Sequence, residues 1–427
     1  MNKLAILGGP PVINTPLKPY PSIGDEEISA VNAVMKSGCL SGFYGSPGQQ
    51  YYGGEIVRKF EAAWCERYGV KHAISVNSAT SGLQAALGAI GISPGDEVIV
   101  PPYTMSATVV SPLIWGGIPV FVDINPNTFC LDIDQVKQAI TPKTRAILVV
   151  NLFGNPAQLS ELEKIAKKHN LWLIEDSAQA PLAIENGRLC GTVGHIGIFS
   201  LNYHKHIHSG EGGVCVTNDN ELAQRIAMIR NHAENVVDEF GIDPPVNMVG
   251  FNFRMTELQA AVAHVQLKNL DAHIARREEV ALKLTQGTKG LAGWTPPVKR
   301  EGTRHNYYMW TVRYDENETG VPRELFSKAL AAEGFPNEVG YLKPLYRLPI
   351  FQKRIAIGHE GYPFTFSERK YTDVFCPVTE KLYRKEVIQY QTPSWDVDVH
   401  LTDLLIEAVH KVHTNIEHLS EKELSKA

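Results

Sequence analysis

From about Ile56 to Asn220, short apolar runs alternate with amphipathic stretches, and each run ends in a loop. Five runs read as strands: HAISV (72–76), EVIVPP (97–102), PVFVDI (119–124), AILVVNL (146–152) and LWLIED (171–176). They are almost continuously apolar, as strands covered on both faces are. Between the last two, QLSELEKIAKKHN spaces Leu159, Leu162, Ile165 and Ala166 at helical intervals, with charges on the other side. Such a helix carries the chain back to start a parallel neighbour. The pattern predicts an α/β fold, a mostly parallel central sheet with flanking helices.

Beyond Asn252 the period changes. TELQAAVAHVQLKNLDAHIARREEVALKL predicts one long helix that leads the chain out of the sheet region, and a boundary is expected near residue 280. This divides the chain into a large α/β domain, 1–280, which includes the N-terminal segment, and a smaller α+β domain, 281–427. The second part shows a strand at YYMWTVRY, a helix at PRELFSKALAAEG, a Pro/Tyr-rich loop at YLKPLYRLPIF and a helical end from Thr402. The terminal EKELSKA reads as frayed.

Composition narrows the function classes. A length of 427 residues is enough for two lobes, and a net charge of −5 offers no basic field for nucleic acid. Six scattered cysteines without a C-x-x-C pair read as reduced packing residues. No apolar stretch is long enough for a membrane span, and no export signal opens the chain. A cytoplasmic protein with small-molecule partners is expected, with no nucleic-acid or membrane partner.

In open α/β sheets ligands gather at the carboxyl ends of the strands, which directs attention to Asn77–Gly82, Tyr103, Asn151 and Asp176. Asp176 ends a strand before SAQA. It suits a helix N-cap, or a carboxylate that keeps a pyridinium nitrogen protonated so that the ring acts as an electron sink. The second role needs a lysine, and FSLNYHKHIHSGEGG (199–213) contains Lys205. A buried lysine has its charged form disfavoured, which makes it nucleophilic. Ser200 offers a hydroxyl to a phosphate. Asn77-Ser-Ala-Thr-Ser-Gly82 precedes a helix, so its N–H groups with the hydroxyls of Ser78, Thr80 and Ser81 make a phosphate cradle, and equally a helix cap. Tyr103 could stack on a planar ligand or pack in the core. The same stretch permits another reading: were it extended, His204, His206 and His208 would share a face and could hold zinc.

The ordered motifs SATSG, PPYT, EDSAQA, F-S-x(4)-K-x(4)-G-E-G-G and GFNFRMTELQAA resemble the pyridoxal-phosphate-dependent sugar aminotransferases of the DegT/StrS type, over nearly the whole chain. The resemblance implies a fold-type-I (aspartate aminotransferase) architecture and a homodimer with shared active sites. It implies Lys205 as the internal-aldimine lysine, Asp176 as the pyridine partner and Gln179 as the contact to the ring hydroxyl. Tyr103 becomes the stacking ring, Ser78, Ala79, Thr80 and Ser200 the phosphate site, and Asn252 an asparagine that reaches the partner's phosphate. Ala79 stands where the family usually has Gly, Gly82 where it usually has Ala, and Asn151 where His is frequent.

The implied activity is ping-pong transfer of an amino group from glutamate or glutamine to a nucleotide-linked keto-sugar or a keto-cyclitol. No metal is expected, because a histidine–zinc site leaves Asp176 and the cradle unexplained. Two alternatives share the fold: a sugar dehydratase, whose relatives replace the lysine by His, and a regulator that binds sugar nucleotides without turnover.

Overall fold

The computed structural model describes residues 3–419. Seven strands form the central sheet: β1 (His72–Val76), β2 (Glu97–Val100), β3 (Ile118–Phe121), β4 (Thr144–Val150), β5 (Trp172–Asp176), β6 (Ile196–Ser200) and β7 (Gly213–Thr217). Their order is β1-β7-β6-β5-β4-β2-β3. Strands β3, β2, β4, β5 and β6 are parallel, while β7 runs antiparallel to both β6 and β1. The segments read as strands are all present. Strands β6 and β7 join them, and the 201–212 loop between these two carries Lys205.

Helices cover both faces. Helix α1 (Asp25–Ser37) and α2 (Glu55–Tyr68) lie against the long helix described below, and α3 (Ala79–Ala89) follows β1 directly. Helix α4 (Ser106–Ile114) follows β2. The crossover helix α5 (Leu159–His169) buries Leu159, Leu162, Ile165 and Ala166, the apolar positions that predicted it.

Helix α6 (Glu257–Gly287) has 31 residues and starts in a capping box. Thr256 Oγ1 accepts from the Gln259 amide at 3.3 Å, and Gln259 Oε1 accepts from the Thr256 amide at 3.0 Å. Its first half, through Ile274, packs with Trp64, Phe199 and Leu201 against the central sheet. Val280, Ala281 and Leu284 pack instead with Trp310 and Phe326. That second core sits on an antiparallel sheet of β8 (Trp294–Thr295), β9 (Met309–Tyr314), β10 (Glu338–Val339) and β11 (Val387–Gln391), ordered β8-β9-β11-β10. Helices α7 (Arg323–Ala332) and α8 (Val399–Thr414) complete it, α8 starting slightly before Thr402 behind an Asp398 cap. EKELSKA lies outside the described residues.

The expected split of the chain needs two corrections. Leu4, Leu7, Ile13 and Leu17 pack in the core of the second sheet, not with the large sheet. Glu333, fully buried, fixes this strap by accepting from the Ala5 amide at 2.8 Å and the Val12 amide at 3.1 Å, with Lys411 Nζ at 2.8 Å. In the opposite sense, Leu345, Tyr346, Phe351, Phe364 and Tyr371 return to the core of the large sheet. Both exchanges depend on contacts between distant parts of the sequence.

Candidate active site

A cavity of about 460 Å³ opens at the carboxyl ends of β4 and β5, where Val150 and Asp176 form part of its wall. Ser78, Ala79 and Thr80 line it at the start of α3. Ser78 is the N-cap: its hydroxyl accepts from the Ser81 amide at 3.1 Å and pairs with the Ser81 hydroxyl at 2.9 Å. The first N–H groups of a helix have no partner within it, so Ala79 and Thr80 bring unsatisfied donors and the positive end of the helix dipole to the cavity. The close fit of the neighbours explains two glycines. A Cβ at Gly213 would stand 2.6 Å from the Ala79 nitrogen, and one at Gly82 would stand 2.9 Å from Cys215 Sγ. Small residues let the cradle seat against β7.

Lys205 reaches into the same cavity from the 201–212 loop, with Nζ 4.6 Å from the centre of the Tyr308 ring. Burial of the ammonium lowers its pKa to about 8, against the opposing pull of the Asp176 charge. Asp176 is 5% exposed. Its Oδ2 accepts from Thr108 Oγ1 at 2.8 Å and its Oδ1 from the Ala178 amide at 3.1 Å. No helix follows it, which removes the helix-cap reading. Burial raises its pKa, while Thr108, Ala178 and Lys205 pull it back. Strand alternation turns the preceding carboxylate the other way. Glu175 accepts from the amides of Gly191, Val193 and Gly194 at 2.6–2.8 Å, with no part in the cavity.

Ser200 and Gln179 also line the cavity. Gln179 Oε1 accepts from the Phe153 amide at 2.7 Å and Nε2 approaches the Tyr341 hydroxyl at 3.1 Å, which leaves a second N–H on Nε2. Tyr103 is a correction. It is fully buried, donates to the Gly340 carbonyl at 2.7 Å and does not line the cavity, where Thr104 and Met105 stand instead. Asn151, at the end of β4, is likewise structural, bound to Ser177, Glu175 and the Ala157 amide. Asn252 lies on the surface, its Oδ1 accepting from Arg254 Nε at 2.8 Å, and takes no part in the cavity of its own chain.

The three histidines diverge, because the 201–212 loop turns and does not extend. His204 faces the cavity, and burial beside Lys205 lowers its pKa to about 4. His206 Nδ1 takes a hydrogen bond from Arg277 at 3.0 Å, and the same guanidinium nitrogen donates to the His206 carbonyl at 2.8 Å. His208 Nε2 pairs with the Ser22 hydroxyl at 2.6 Å. Arg277, on the His206 ring and carbonyl, and Ser22, on the His208 ring, thus tie down the loop on either side of Ile207, behind Lys205.

Thr108, Met105, Asn202 and Tyr308 belong to the site and were not singled out in the sequence, while Tyr341 enters it from the start of the Pro/Tyr-rich loop. The whole arrangement fits a planar, phosphate-bearing pyridine aldehyde. It has an anion cradle at one end, a buried carboxylate for a ring nitrogen, and an enclosed amine of lowered pKa.

The sequence matches the model of the DegT/DnrJ/EryC1/StrS aminotransferase family over residues 21–390. Among curated relatives, the L-glutamine:2-deoxy-scyllo-inosose aminotransferase of Micromonospora echinospora is 37% identical over 345 residues, 78% of this chain and 80% of the relative. The GDP-perosamine synthase of Caulobacter vibrioides is 38% identical over 302 residues, 69% of this chain and 78% of the relative. Among solved structures, DesV from S. venezuelae superposes with a TM-score of 0.76 at 31% identity, covering 91% of this chain and 94% of DesV.

Proposed function

Because the chain belongs to the DegT/DnrJ/EryC1/StrS aminotransferase family and is a pyridoxal-phosphate-dependent aminotransferase, we propose that it transfers the amino group of glutamine to the ketone of a cyclitol, with Lys205 and Asp176 as its reacting groups. The observation that carries the assignment of residues is the meeting of an enclosed lysine, a buried aspartate and the open end of α3 in one cavity. The glutamine-dependent inosose aminotransferase among the relatives supports donor and acceptor. The perosamine relative keeps a nucleotide-linked keto-sugar as the second acceptor class.

When bound, the cofactor supplies an electron sink for the carbon that loses its proton. The protein supplies the rest. The amides of Ala79 and Thr80 and the hydroxyls of Thr80 and Ser200 hold the phosphate. Asp176, ionised, keeps the proton on the ring nitrogen, and Thr108 and the Ala178 amide hold the carboxylate in place. Met105, at the cavity wall, would offer a polarisable thioether to a ring face in the place expected of Tyr103, and Gln179 would offer the ring hydroxyl its second N–H. Lys205, lowered to about pKa 8, takes the proton from the donor α-carbon and returns one on the acceptor side. Donor product leaves before acceptor binds, which makes the kinetics ping-pong.

Asn252, on the surface, reaches the phosphate of a second copy, so the working unit is a homodimer. Six unpaired cysteines suit a reducing, cytoplasmic compartment. Among the described residues no helix is long and apolar enough to cross a membrane.

The test is direct. Borohydride reduction of the cofactor-loaded protein should place the label on Lys205 in a peptide map. Glutamine should then bleach the lysine-linked absorption band of unreduced protein, and scyllo-inosose should restore it. A label on another lysine removes Lys205 from its role; restoration by a nucleotide-linked keto-sugar alone moves the acceptor to that class.

A further inference from the structure

A second cavity, of about 560 Å³, lies beside the first and shares Gln391 and Ser394 with it. The two form one cleft, an inner chamber at Lys205 and an outer one between the N-terminal strap and the edge of the second sheet. The strap is fixed there: Tyr20 N–H donates to the Ser394 carbonyl at 3.0 Å, and Asp396 N–H donates to the Lys18 carbonyl at 2.9 Å. Gln391 stands at the junction, its Nε2 3.1 Å from the Tyr308 hydroxyl.

The outer wall has a definite chemistry. Trp395, partly exposed, supplies aromatic surface, and Glu338 carries the only charge among the described lining residues. Glu338 and Gln389 are opposed across the β10–β11 pair, and Gln389 Nε2 donates to Glu338 Oε2 at 3.2 Å. A carboxylate only accepts, so this bond fixes the amide orientation. It leaves Gln389 Oε1 without a partner in a residue 4% exposed at the cavity wall. The wall therefore presents the Glu338 carboxylate and the unpartnered Gln389 Oε1 as acceptors beside the Trp395 ring. It suits hydroxyl or ammonium donors on a ring with an apolar C–H face, and its lone carboxylate repels a diphosphate.

We propose that the outer chamber is a subsite for a second polyhydroxylated ring, so that the acceptor is a keto-cyclitol already joined to another sugar or cyclitol ring and not a nucleotide diphosphate sugar. The proposal rests on the aminotransferase reading of the inner chamber. It also places the enzyme after a glycosyl-transfer step in its reaction sequence, since the two rings must be joined before they bind.

Binding to the cofactor-loaded enzyme tests it with unreactive probes, by calorimetry or ligand-observed NMR. The probes are myo-inositol (one ring), galactinol (two neutral rings) and UDP-glucose. Galactinol should bind about tenfold more tightly than myo-inositol, the worth of one charge-assisted hydrogen bond. Glu338→Gln should remove about that factor for galactinol and leave myo-inositol unchanged. Gln389→Leu, which frees the carboxylate from its anchor, should act in the same direction. Galactinol no tighter than myo-inositol, or indifferent to both substitutions, overturns the proposal. So does UDP-glucose binding tightest of the three and more tightly still to Glu338→Gln. These outcomes are independent of the amine-transfer reading, which fails separately if glutamine leaves the absorption band unchanged.

Discussion

Replacing Thr108 by valine should move the acid limb of the rate profile upward by about 1–2 pH units. The Thr108 hydroxyl donates to Asp176 Oδ2 at 2.8 Å, and both residues are buried, so no water replaces the lost donor. A hydrogen bond to a charged group contributes about 1.5–3 kcal/mol, and one pKa unit corresponds to about 1.4 kcal/mol. The sign follows from the working form. Asp176 acts ionised, burial already raises its pKa, and Thr108 is the first of the groups that lower it. Without that donor the carboxylate protonates at higher pH, and activity is lost as pH falls through the raised value. Above the limb, kcat should recover most of its parent level. Thr108→Ser keeps the hydroxyl and should keep the parent profile. The assay is the single-turnover rate of band loss with glutamine from pH 5 to 9, with melting temperature measured beside it. An unmoved limb in the valine variant, or a serine variant displaced as far as valine, refutes the argument that Thr108 acts through Asp176.

Lys205→Ala should retain the cofactor through the cradle but show no lysine-linked absorption band and negligible turnover; equilibrium dialysis and absorbance check both. Gly213→Ala puts a Cβ where it meets the Ala79 nitrogen at 2.6 Å, so cofactor affinity should fall at least tenfold while the fold survives, read by cofactor titration and circular dichroism. Glu333→Ala leaves the largely buried Lys411 without its carboxylate and the Ala5 and Val12 amides without an acceptor. It should cost about 3–5 kcal/mol in denaturant unfolding and open the strap to proteolysis, and a loss below about 1 kcal/mol would show that the strap is held otherwise.

The parallel core was legible because each of its strands is a dense apolar run set by its own burial. Strands β6 and β7 were not, and glycine is the reason. Gly197 sits where a Cβ would lie 2.0 Å from the Gly191 carbonyl, and Gly213 lies against the cradle. Glycine weakens a strand's local signal while meeting a tertiary demand. The placement of the strap was illegible for a different reason. Ala5 and Glu333 are separated by 328 positions, and nothing local in the apolar spacing of Leu4, Leu7, Ile13 and Leu17 says which core they join.

At the site, residue type served where one chemistry needs one side chain and failed where several side chains compete for a place. Lys205 is the one lysine of its stretch, and strand alternation turns Glu175 away and leaves Asp176 as the carboxylate that the end of β5 presents, so the expected residues are the ones in the cavity. Tyr103 and Met105 are two positions apart on a turn after β2, and the aromatic residue was the natural choice for stacking. The fold uses that ring elsewhere: Tyr103 packs edge-on to Tyr341, at 5.5 Å between ring centres, and bonds to the Gly340 carbonyl. It thereby positions Tyr341, which in turn meets Gln179. Tyr103 thus supports the site from behind, and phenylalanine there should weaken the hold on the 340–341 turn before it weakens cofactor binding. Met105, 56% exposed at the cavity wall, is free to cover a ring because no part of the core needs it.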